Sequence, residues 1–477
     1  MREFADIFAG AIAEAHSAPR SLAPGECRTP SGIPCGLCLA MTHQYAVEAA
    51  ARSAAVREFW QEVLPGVPLD PLVLSPRGRE YRTTSKRKAF RTRDGIRLGL
   101  VPPAGHPHTG GLDVGRCAIE PEAHSAIYRT IAAELLLQHA APLRDQIQYA
   151  IIKGNYREFT IILNVMEITP RLVRSANGLS RSLSRLCGDT LGGIHLFEGD
   201  PDGRYYGESK KRAGVPASRK IFGKNEIYVR AEGRGFLFPP LAFSQVNESI
   251  LDPFIAGIRR LLRPERNRAL VDLYCGYGLF AISLAGEVQR VVGADQNHQA
   301  IAAAMENSRR RKAGNCRFIR TALAEQSIEE VMGRGSGSLV ILDPPRGGTA
   351  PGVIERVALR LPARAVHIFC NLEILPRELS RWERSGYRAA RGIPFDMFPG
   401  TSDCELMVLL EPGPSNAPGD VRRERRIPES ASTRGSRSAT TPLAPPETPP
   451  APSSGEGDRA RPSVPQSRKG HTARRRR

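Results

Sequence analysis

Hydrophobic and polar positions follow different periods along the chain. HQYAVEAAARSAAVREFWQEVL, residues 43–64, has the spacing of a helix, whereas YAIIKGNYREFTIILNV, residues 149–165, consists of short alternating runs bounded by Gly and Asn. Such alternation is typical of half-buried strands. We therefore predict a β-rich module over residues 41–240.

Beyond residue 240, strand patterns alternate with helical ones. RALVDLYCGYGLFAISLA, residues 268–285, has the pattern of a strand, a glycine turn and a helix, and HQAIAAAMENSRRRK predicts a second helix. This alternation indicates a parallel, doubly wound α/β sheet over residues 241–412. Its further strands are predicted in RVVGAD, SLVILD and AVHIFC.

The two ends of the chain differ from these regions. Residues 1–40 combine a short amphipathic stretch with the cysteine-rich CRTPSGIPCGLC. Residues 413–477 are rich in Pro, Ser, Arg and Gly, with 14 Lys/Arg against 6 Asp/Glu. Few large apolar residues occur there, so burial cannot offset chain entropy and we predict a disordered basic tail.

Charge and hydropathy narrow the class of protein. The net charge is +19, of which the tail carries 14 − 6 = +8, so the rest of the chain keeps +11. Fixed positive charge of this size suggests a polyanionic partner, and a generic basic surface that favours solubility is the alternative that charge alone leaves open. No run of 18 apolar residues occurs and the N-terminus lacks a signal-peptide pattern, so we expect a cytoplasmic protein that does not span a membrane.

A glycine turn follows the first strand of the doubly wound region. VDLYCGYGLF has the pattern D-x-x-x-G-x-G, with Gly276 in the turn, and Asp295 ends the next strand, where a carboxylate can accept ribose hydroxyls. The pattern differs from the G-x-G-x-x-G of dinucleotide binders, which favours S-adenosylmethionine over NAD. The third clear strand ends in Asp343-Pro344-Pro345.

Nine cysteines, an odd number, argue against a disulfide framework. Cys27, Cys35 and Cys38 lie within twelve residues, and Cys117 is a candidate fourth ligand. Four thiolates can hold either zinc or a [4Fe–4S] cluster, and the spacing alone does not separate the two.

Five segments in order resemble the S-adenosylmethionine-dependent RNA uracil-C5 methyltransferases. They are FSQVN (243–247), LYCGYG, DPPRGG, FCN and DMFPGTSDCE (396–405). The resemblance implies a class I, Rossmann-like methyltransferase sheet and a reaction in which a thiolate adds to C6 of uracil so that C5 can take the methyl group.

The resemblance also implies roles for particular residues. Cys370 matches the family's nucleophile and Glu405 its base, while Asn371 and Arg346 are candidate stabilisers. Cys275 and Cys404 are interpreted as structural. The expected cofactor contacts are Gln245, Tyr274, Gly276, Asp295 and Asp343.

Two positions depart from the family pattern. Leu372 follows Cys370-Asn371 where the family commonly has proline, and Asp403 replaces the histidine of T-x-H-x-E. We interpret the chain as an active enzyme with altered surroundings of the reacting groups.

The resemblance is greatest to the shorter iron–sulfur enzymes of 23S rRNA, which lack an N-terminal OB-like (TRAM) domain. It implies a [4Fe–4S] cluster on the four cysteines and 23S rRNA as substrate. A tRNA substrate, and a non-catalytic RNA-binding or assembly factor on the same fold, are the alternatives. YRTTSKRKAF, residues 81–90, is a candidate RNA-contact strip, and we expect a monomer without a protein partner. The candidate RNA contacts of this strip are Tyr81, Arg82, Lys86, Arg87, Lys88 and Phe90, and a solvated loop is the equally weighted alternative for the segment.

Overall fold

The structure is a computed structural model. It describes residues 2–15, 35, 37–93, 95–102, 111–199, 217–333 and 335–414, so Cys27 and the predicted basic tail beyond residue 414 lie outside the described residues.

The described residues form helices and strands throughout. The helices are α1 (Phe4–Glu14), α2 (Tyr45–Val63), α3 (Glu122–Leu135), α4 (Ala141–Arg144), α5 (Pro170–Cys187), α6 (Leu251–Leu262), α7 (Leu279–Leu284), α8 (His298–Arg310), α9 (Ile328–Met332), α10 (Val353–Leu359) and α11 (Leu375–Arg384). The strands are β1 (Thr84–Thr92), β2 (Gly95–Gly99), β3 (Ile147–Gly154), β4 (Phe159–Val165), β5 (Leu191–Glu198), β6 (Ser218–Gly223), β7 (Ile227–Ala231), β8 (Arg234–Phe238), β9 (Ala269–Leu273), β10 (Arg290–Asp295), β11 (Cys316–Arg320), β12 (Leu339–Leu342), β13 (Arg364–Phe369), β14 (Tyr387–Phe395) and β15 (Glu405–Pro412).

The C-terminal half is a seven-stranded sheet in the order β11-β10-β9-β12-β13-β15-β14. The first five strands are parallel, and β15 runs antiparallel to both β13 and β14. The order reverses between β9 and β12, which is where doubly wound sheets open a ligand crevice. The doubly wound prediction is confirmed, although β11 and β14 were not among the predicted strands.

Apolar residues cover both faces of this sheet. Along β13, Val366 and Ile368 pack into one cluster with α6 and α7, whereas Ala365 and Phe369 pack into the opposite cluster. That second cluster includes Phe59 and other apolar residues of α1 and α2. Alternate side chains of a strand point to opposite faces, so a strand buried on both sides reads as one apolar run.

The preceding half is a six-stranded sheet in the order β2-β1-β3-β4-β5-β6. This module is not purely β-rich, because α3 and α5 pack on one face of the sheet, against the buried side chains of its strands. Helix α5 begins where Thr169 Oγ1 accepts a hydrogen bond from the Leu172 amide at 3.2 Å, with Pro170 in the first turn. This helix connects β4 to β5, which pair in parallel.

None of the helices in the described ranges is both long and apolar enough to cross a membrane.

Candidate active site

Four parallel strands bring the predicted site residues to one edge of the seven-stranded sheet. Tyr274 follows β9, Asp295 ends β10, Asp343 follows β12 and Cys370 follows β13. Because these strands are parallel neighbours, their carboxyl ends meet at the same edge.

The glycine turn after β9 is closed by a carboxylate from β10. The Gly276 amide donates to Asp295 Oδ2 at 3.0 Å, and the Asn297 amide donates to Asp295 Oδ1 at 2.8 Å. Gly276 has φ +54°, and a side chain built there would meet nothing within 4 Å. The turn therefore leaves open space in which a ligand can approach the backbone.

Asp272, the first residue of the D-x-x-x-G-x-G pattern, has a supporting position. Its side chain is buried, and its Oδ2 accepts a hydrogen bond from the Ala281 amide at 3.0 Å in the first turn of α7. Burial raises its pKa well above the ordinary value. Asp272 thus fixes the turn to the helix that follows it.

Gln245 approaches the edge from the segment before α6. Its Nε2 lies 3.5 Å from Asp343 Oδ2, although 98 residues separate them. Burial raises the pKa of Asp343 to about 7. Buried Lys153, on β3, donates to the carbonyls of Pro240 and Ala242 and so anchors the loop that leads to Gln245.

Cys370 and Glu405 are brought together by the pairing of β13 with β15. Phe369 pairs with Leu406, so the next position in the same antiparallel register sets Cys370 opposite Glu405. Directly opposed residues of an antiparallel pair have side chains on the same face, with Cβ atoms roughly 5 Å apart.

Burial determines the protonation of this pair. The pKa of the Cys370 thiol is raised by burial and then by Glu405 and Asp343, whereas Arg346 lowers it. The pKa of Glu405 is raised well above its usual range by burial and by the neighbouring Asp343 and Asp403. Glu405 Oε2 is buried without a hydrogen-bond partner. The site therefore holds a thiol beside a carboxyl group with a high proton affinity.

The rival thiols have other environments. Cys404 Sγ is buried and lies 3.5 Å from the Phe395 carbonyl oxygen. Cys275 is buried in the apolar cluster beneath the sheet. Neither thiol faces Glu405 across the β13–β15 ladder.

The segment DMFPGTSD that leads into Glu405 is held by residues distant in sequence. Arg52, buried on α2, donates to the Thr401 carbonyl at 2.5 Å and to the Asp403 carbonyl at 2.6 Å. Asn247 Nδ2 donates to the Met397 carbonyl at 3.1 Å. Neither residue was predicted from the sequence as part of the site, and only the family segment FSQVN contained a signal for Asn247.

Arg346 and Asp403 form an ion pair close to the reacting groups. The guanidinium donates to both carboxylate oxygens, at 2.6 Å and 3.3 Å. Asn371 Nδ2 donates to the Arg346 carbonyl at 3.3 Å and so ties the loop after β12 to the loop after β13.

Three of the four predicted metal ligands lie in one small apolar cluster. Cys35 and Cys117 are buried in it, and Cys38 packs against it. The pKa values of Cys38 and Cys117 are raised, mainly by burial. Across the described ranges, no three His, Cys, Asp or Glu residues are arranged to hold a metal ion. The fourth predicted ligand, Cys27, falls outside those ranges.

The candidate RNA-contact strip divides according to strand alternation. Lys86 is exposed and Lys88 is half-buried, whereas Tyr81 and Arg87 are buried. Arg87 donates to both oxygens of buried Glu120, at 2.9 Å and 2.7 Å. Burial argues against both as RNA contacts: Arg87 points inward because alternate β1 residues face the protein interior, and Tyr81 is buried in the segment before β1.

Comparison with known proteins identifies the fold. A solved structure of Pyrococcus abyssi tRNA (uracil-54, C5)-methyltransferase, in complex with S-adenosyl-L-homocysteine, superimposes with a TM-score of 0.58 at 21% identity. It covers 79% of this chain and 85% of that chain. Together with the strand order and the site at the carboxyl edge, this defines a class I methyltransferase fold.

Residues 221–412 match the family model described as tRNA (Uracil-5-)-methyltransferase. A 23S rRNA (uracil(1939)-C(5))-methyltransferase RlmD of Aliivibrio salmonicida is 32% identical over 191 residues, 40% of this chain and 43% of that relative. An uncharacterized RNA methyltransferase of Clostridium tetani is 24% identical over 404 residues, 81% of this chain and 84% of that relative. Residues 221–412 are therefore similar to the RNA uracil-C5 methyltransferases. The chain spans less than half the length of the Aliivibrio relative.

Proposed function

We propose that the protein methylates C5 of a uridine in RNA, with S-adenosylmethionine as methyl donor and Cys370 as nucleophile. The observation that carries the proposal is the pairing of Phe369 with Leu406, whose continuation sets Cys370 opposite Glu405, at the edge where Asp343 also lies. C5 of uracil is too weak a nucleophile to take a methyl group unaided, so the reaction needs a thiolate and a base.

The residues at the carboxyl edge of the seven-stranded sheet supply the thiolate and the base in successive steps. The Cys370 thiol gives its proton to solvent and the thiolate adds to C6, which gives C5 enolate character. C5 then forms a bond to the donor methyl group while the bond between that carbon and the donor sulfur breaks, so that S-adenosylhomocysteine leaves. The ionised Glu405 carboxylate removes the C5 proton. The electrons of that C–H bond re-form the C5–C6 double bond and expel the Cys370 thiolate. A carboxylate with a raised pKa holds this proton more readily than an exposed one.

The donor's binding site is proposed at the glycine turn. Open space beside Gly276, together with the partly exposed carboxylates of Asp295 and Asp343, supports it. S-adenosylmethionine supplies an electrophilic methyl group when bound. Gln245 and Tyr274 complete the proposed contacts, and Gln245 also orients Asp343 through their contact.

The proposed substrate is 23S rRNA. Support comes from relatives named for that RNA, whereas the family model and the solved structure are named for tRNA, which is the second candidate. A non-catalytic RNA-binding factor on this fold is the third. Incubation with labelled S-adenosylmethionine and either 23S or tRNA transcripts separates them, because label is expected as 5-methyluridine in 23S RNA alone.

A trapping experiment tests the nucleophile directly. In RNA containing 5-fluorouridine, C5 carries fluorine in place of the proton that Glu405 would remove, so elimination is blocked and the protein–RNA adduct should persist in denaturing gels. Cys370→Ala should abolish both the adduct and methylation, whereas Cys187→Ala, a half-buried control on α5, should keep both. Methylation by Cys370→Ala at the wild-type rate contradicts the assignment.

The proposed metal group is a [4Fe–4S] cluster on Cys27, Cys35, Cys38 and Cys117. Its support is that Cys35, Cys38 and Cys117 pack in one apolar cluster, although within the described residues they are not arranged to hold a metal ion. Anaerobically purified protein should contain about four iron and four sulfide ions per chain. Zinc in place of iron, without sulfide, contradicts the proposal.

A further inference from the structure

Asp403 occupies the position at which the family that this chain resembles commonly has histidine. Its carboxylate accepts two hydrogen bonds from the Arg346 guanidinium. Bidentate pairing of this kind fixes the orientation of a guanidinium as well as its position. The pair is half-exposed, with Arg346 at 54% and Asp403 at 33% side-chain exposure, so solvent and an incoming substrate can reach it.

The backbone around Asp403 is anchored from beneath. Its carbonyl accepts from Arg52 at 2.6 Å, and its amide donates to Thr401 Oγ1 at 3.2 Å. On the opposite side, Asn371 holds the Arg346 carbonyl. Both ends of the ion pair therefore sit on fixed backbone, and Asp403 is only two residues from Glu405.

The charges around Cys370 come from three directions. Glu405 on β15 and Asp343 after β12 disfavour its thiolate, while Arg346 favours it. Arg346 likewise favours ionised Glu405, and Asp403 disfavours it. Of the charged groups found to act on Cys370, Arg346 is the cation, and Asp403 is its carboxylate partner.

We propose that Asp403 is a positioning residue that fixes Arg346 beside Cys370 and Glu405 and offsets part of the guanidinium charge that both groups experience. The inference deepens the proposed function and rests on it. Asp403 thereby makes the free protein's nucleophile less reactive than a neutral residue would, while keeping Arg346 oriented for the substrate.

The test measures the rate of Cys370 alkylation by iodoacetamide against pH, without RNA, with the modified peptide resolved by mass spectrometry. Asp403→Asn should move the midpoint to lower pH by roughly half to one unit, because the charge of Arg346 is no longer offset. Arg346→Gln should move it to higher pH. In the double variant, the added effect of Asp403→Asn should shrink.

Controls keep the outcome tied to this pair. Glu411→Gln removes a carboxylate at the far end of β15 and should leave the midpoint unchanged. Asp403→His, the residue the family commonly has, should also move the midpoint to lower pH, and thermal unfolding checks that each variant folds. An unmoved midpoint in Asp403→Asn, or an equal shift with and without Arg346, overturns the inference. Alkylation of Cys370 does not require methyl transfer. Failure of the proposed function would appear as absence of methylation in every RNA tested, and the alkylation result would distinguish it from failure of this inference.

Discussion

Arg52 Nε lies 3.2 Å from Asp396 Oδ1, and both side chains are buried, joining α2 to the segment that carries the proposed base. The same guanidinium holds the carbonyls of Thr401 and Asp403. One side chain from the N-terminal part of the chain therefore holds the segment near residue 400 that leads to the proposed base.

Replacing Arg52 by methionine should strongly destabilise the protein. The substitution leaves Asp396 as a buried carboxylate without its cation, which costs about 3–5 kcal/mol of unfolding free energy. Chemical denaturation followed by circular dichroism measures the change. Arg57→Met, an exposed position on the same helix, is the control and should stay within about 0.5 kcal/mol of wild type. Equal losses of unfolding free energy in the two variants would contradict the role of Arg52 as the partner of Asp396.

Gly278→Ala should weaken binding of S-adenosylmethionine and lower stability. Gly278 has φ +81°, and an added Cβ would lie 2.9 Å from Ile282 Cδ1 and 3.2 Å from Ala304 Cβ. A strained backbone and a crowded helix start together cost about 1–3 kcal/mol. Calorimetric titration and thermal unfolding measure both effects. Gly286→Ala, where a Cβ meets nothing within 4 Å, should change neither.

Lys86→Ala and Lys88→Ala should reduce the salt dependence of RNA binding. Both lie on the outward side of β1, with the Lys86 ammonium 4.8 Å from the Tyr149 ring centre. Each lost phosphate contact should lower the slope of log K against log salt by roughly 0.7. Filter binding at several salt concentrations gives the slope. Arg57→Ala should leave it unchanged, and an unchanged slope in both lysine variants would remove β1 from the RNA interface.

Buried His367 should make the protein acid-sensitive. Burial lowers its pKa from 6.5 to about 3, and its Nδ1 accepts from Trp382 Nε1 at 3.1 Å. Between those pH values the unfolded chain binds the proton and the folded protein does not. Stability therefore falls as pH drops below 6.5, by about 1.4 kcal/mol per pH unit for this group.

His367→Asn should flatten this part of the stability curve, because the Asn Oδ1 can accept the same Trp382 hydrogen bond without titrating. Urea unfolding at pH values from 4 to 7 follows the effect. His298→Gln, at an exposed position, is the control. A stability curve as steep in His367→Asn as in wild type would show that other groups cause the loss of stability at low pH.

The sequence predicted the parallel sheet well, because β9, β10, β12 and β13 are apolar runs followed by turns. It missed β11, an edge strand in which Phe318 is the buried residue, since one buried position leaves no periodic signal. It missed α5 as well, because many Ser and Arg residues surround the apolar stripe of that helix.

The site residues were predictable to the extent that they lie in contiguous family segments. Arg52 was not, since a single arginine in an alanine-rich helix gives no indication of a partner 344 residues away. The assignment of Arg87 to the RNA strip failed for a related reason. Its partner Glu120 lies 33 residues further on, and charge patterning alone does not distinguish a buried pair from an exposed strip.

The contacts of Arg52 with Thr401 and Asp403 span 349 and 351 residues. During synthesis, the helix carrying Arg52 is made long before its partners, so these contacts cannot form until the chain has been extended past Asp403. Contacts of such long range also slow folding. A truncation product that stops short of β15 would therefore keep the glycine turn proposed to bind the donor and lack Glu405, the proposed base.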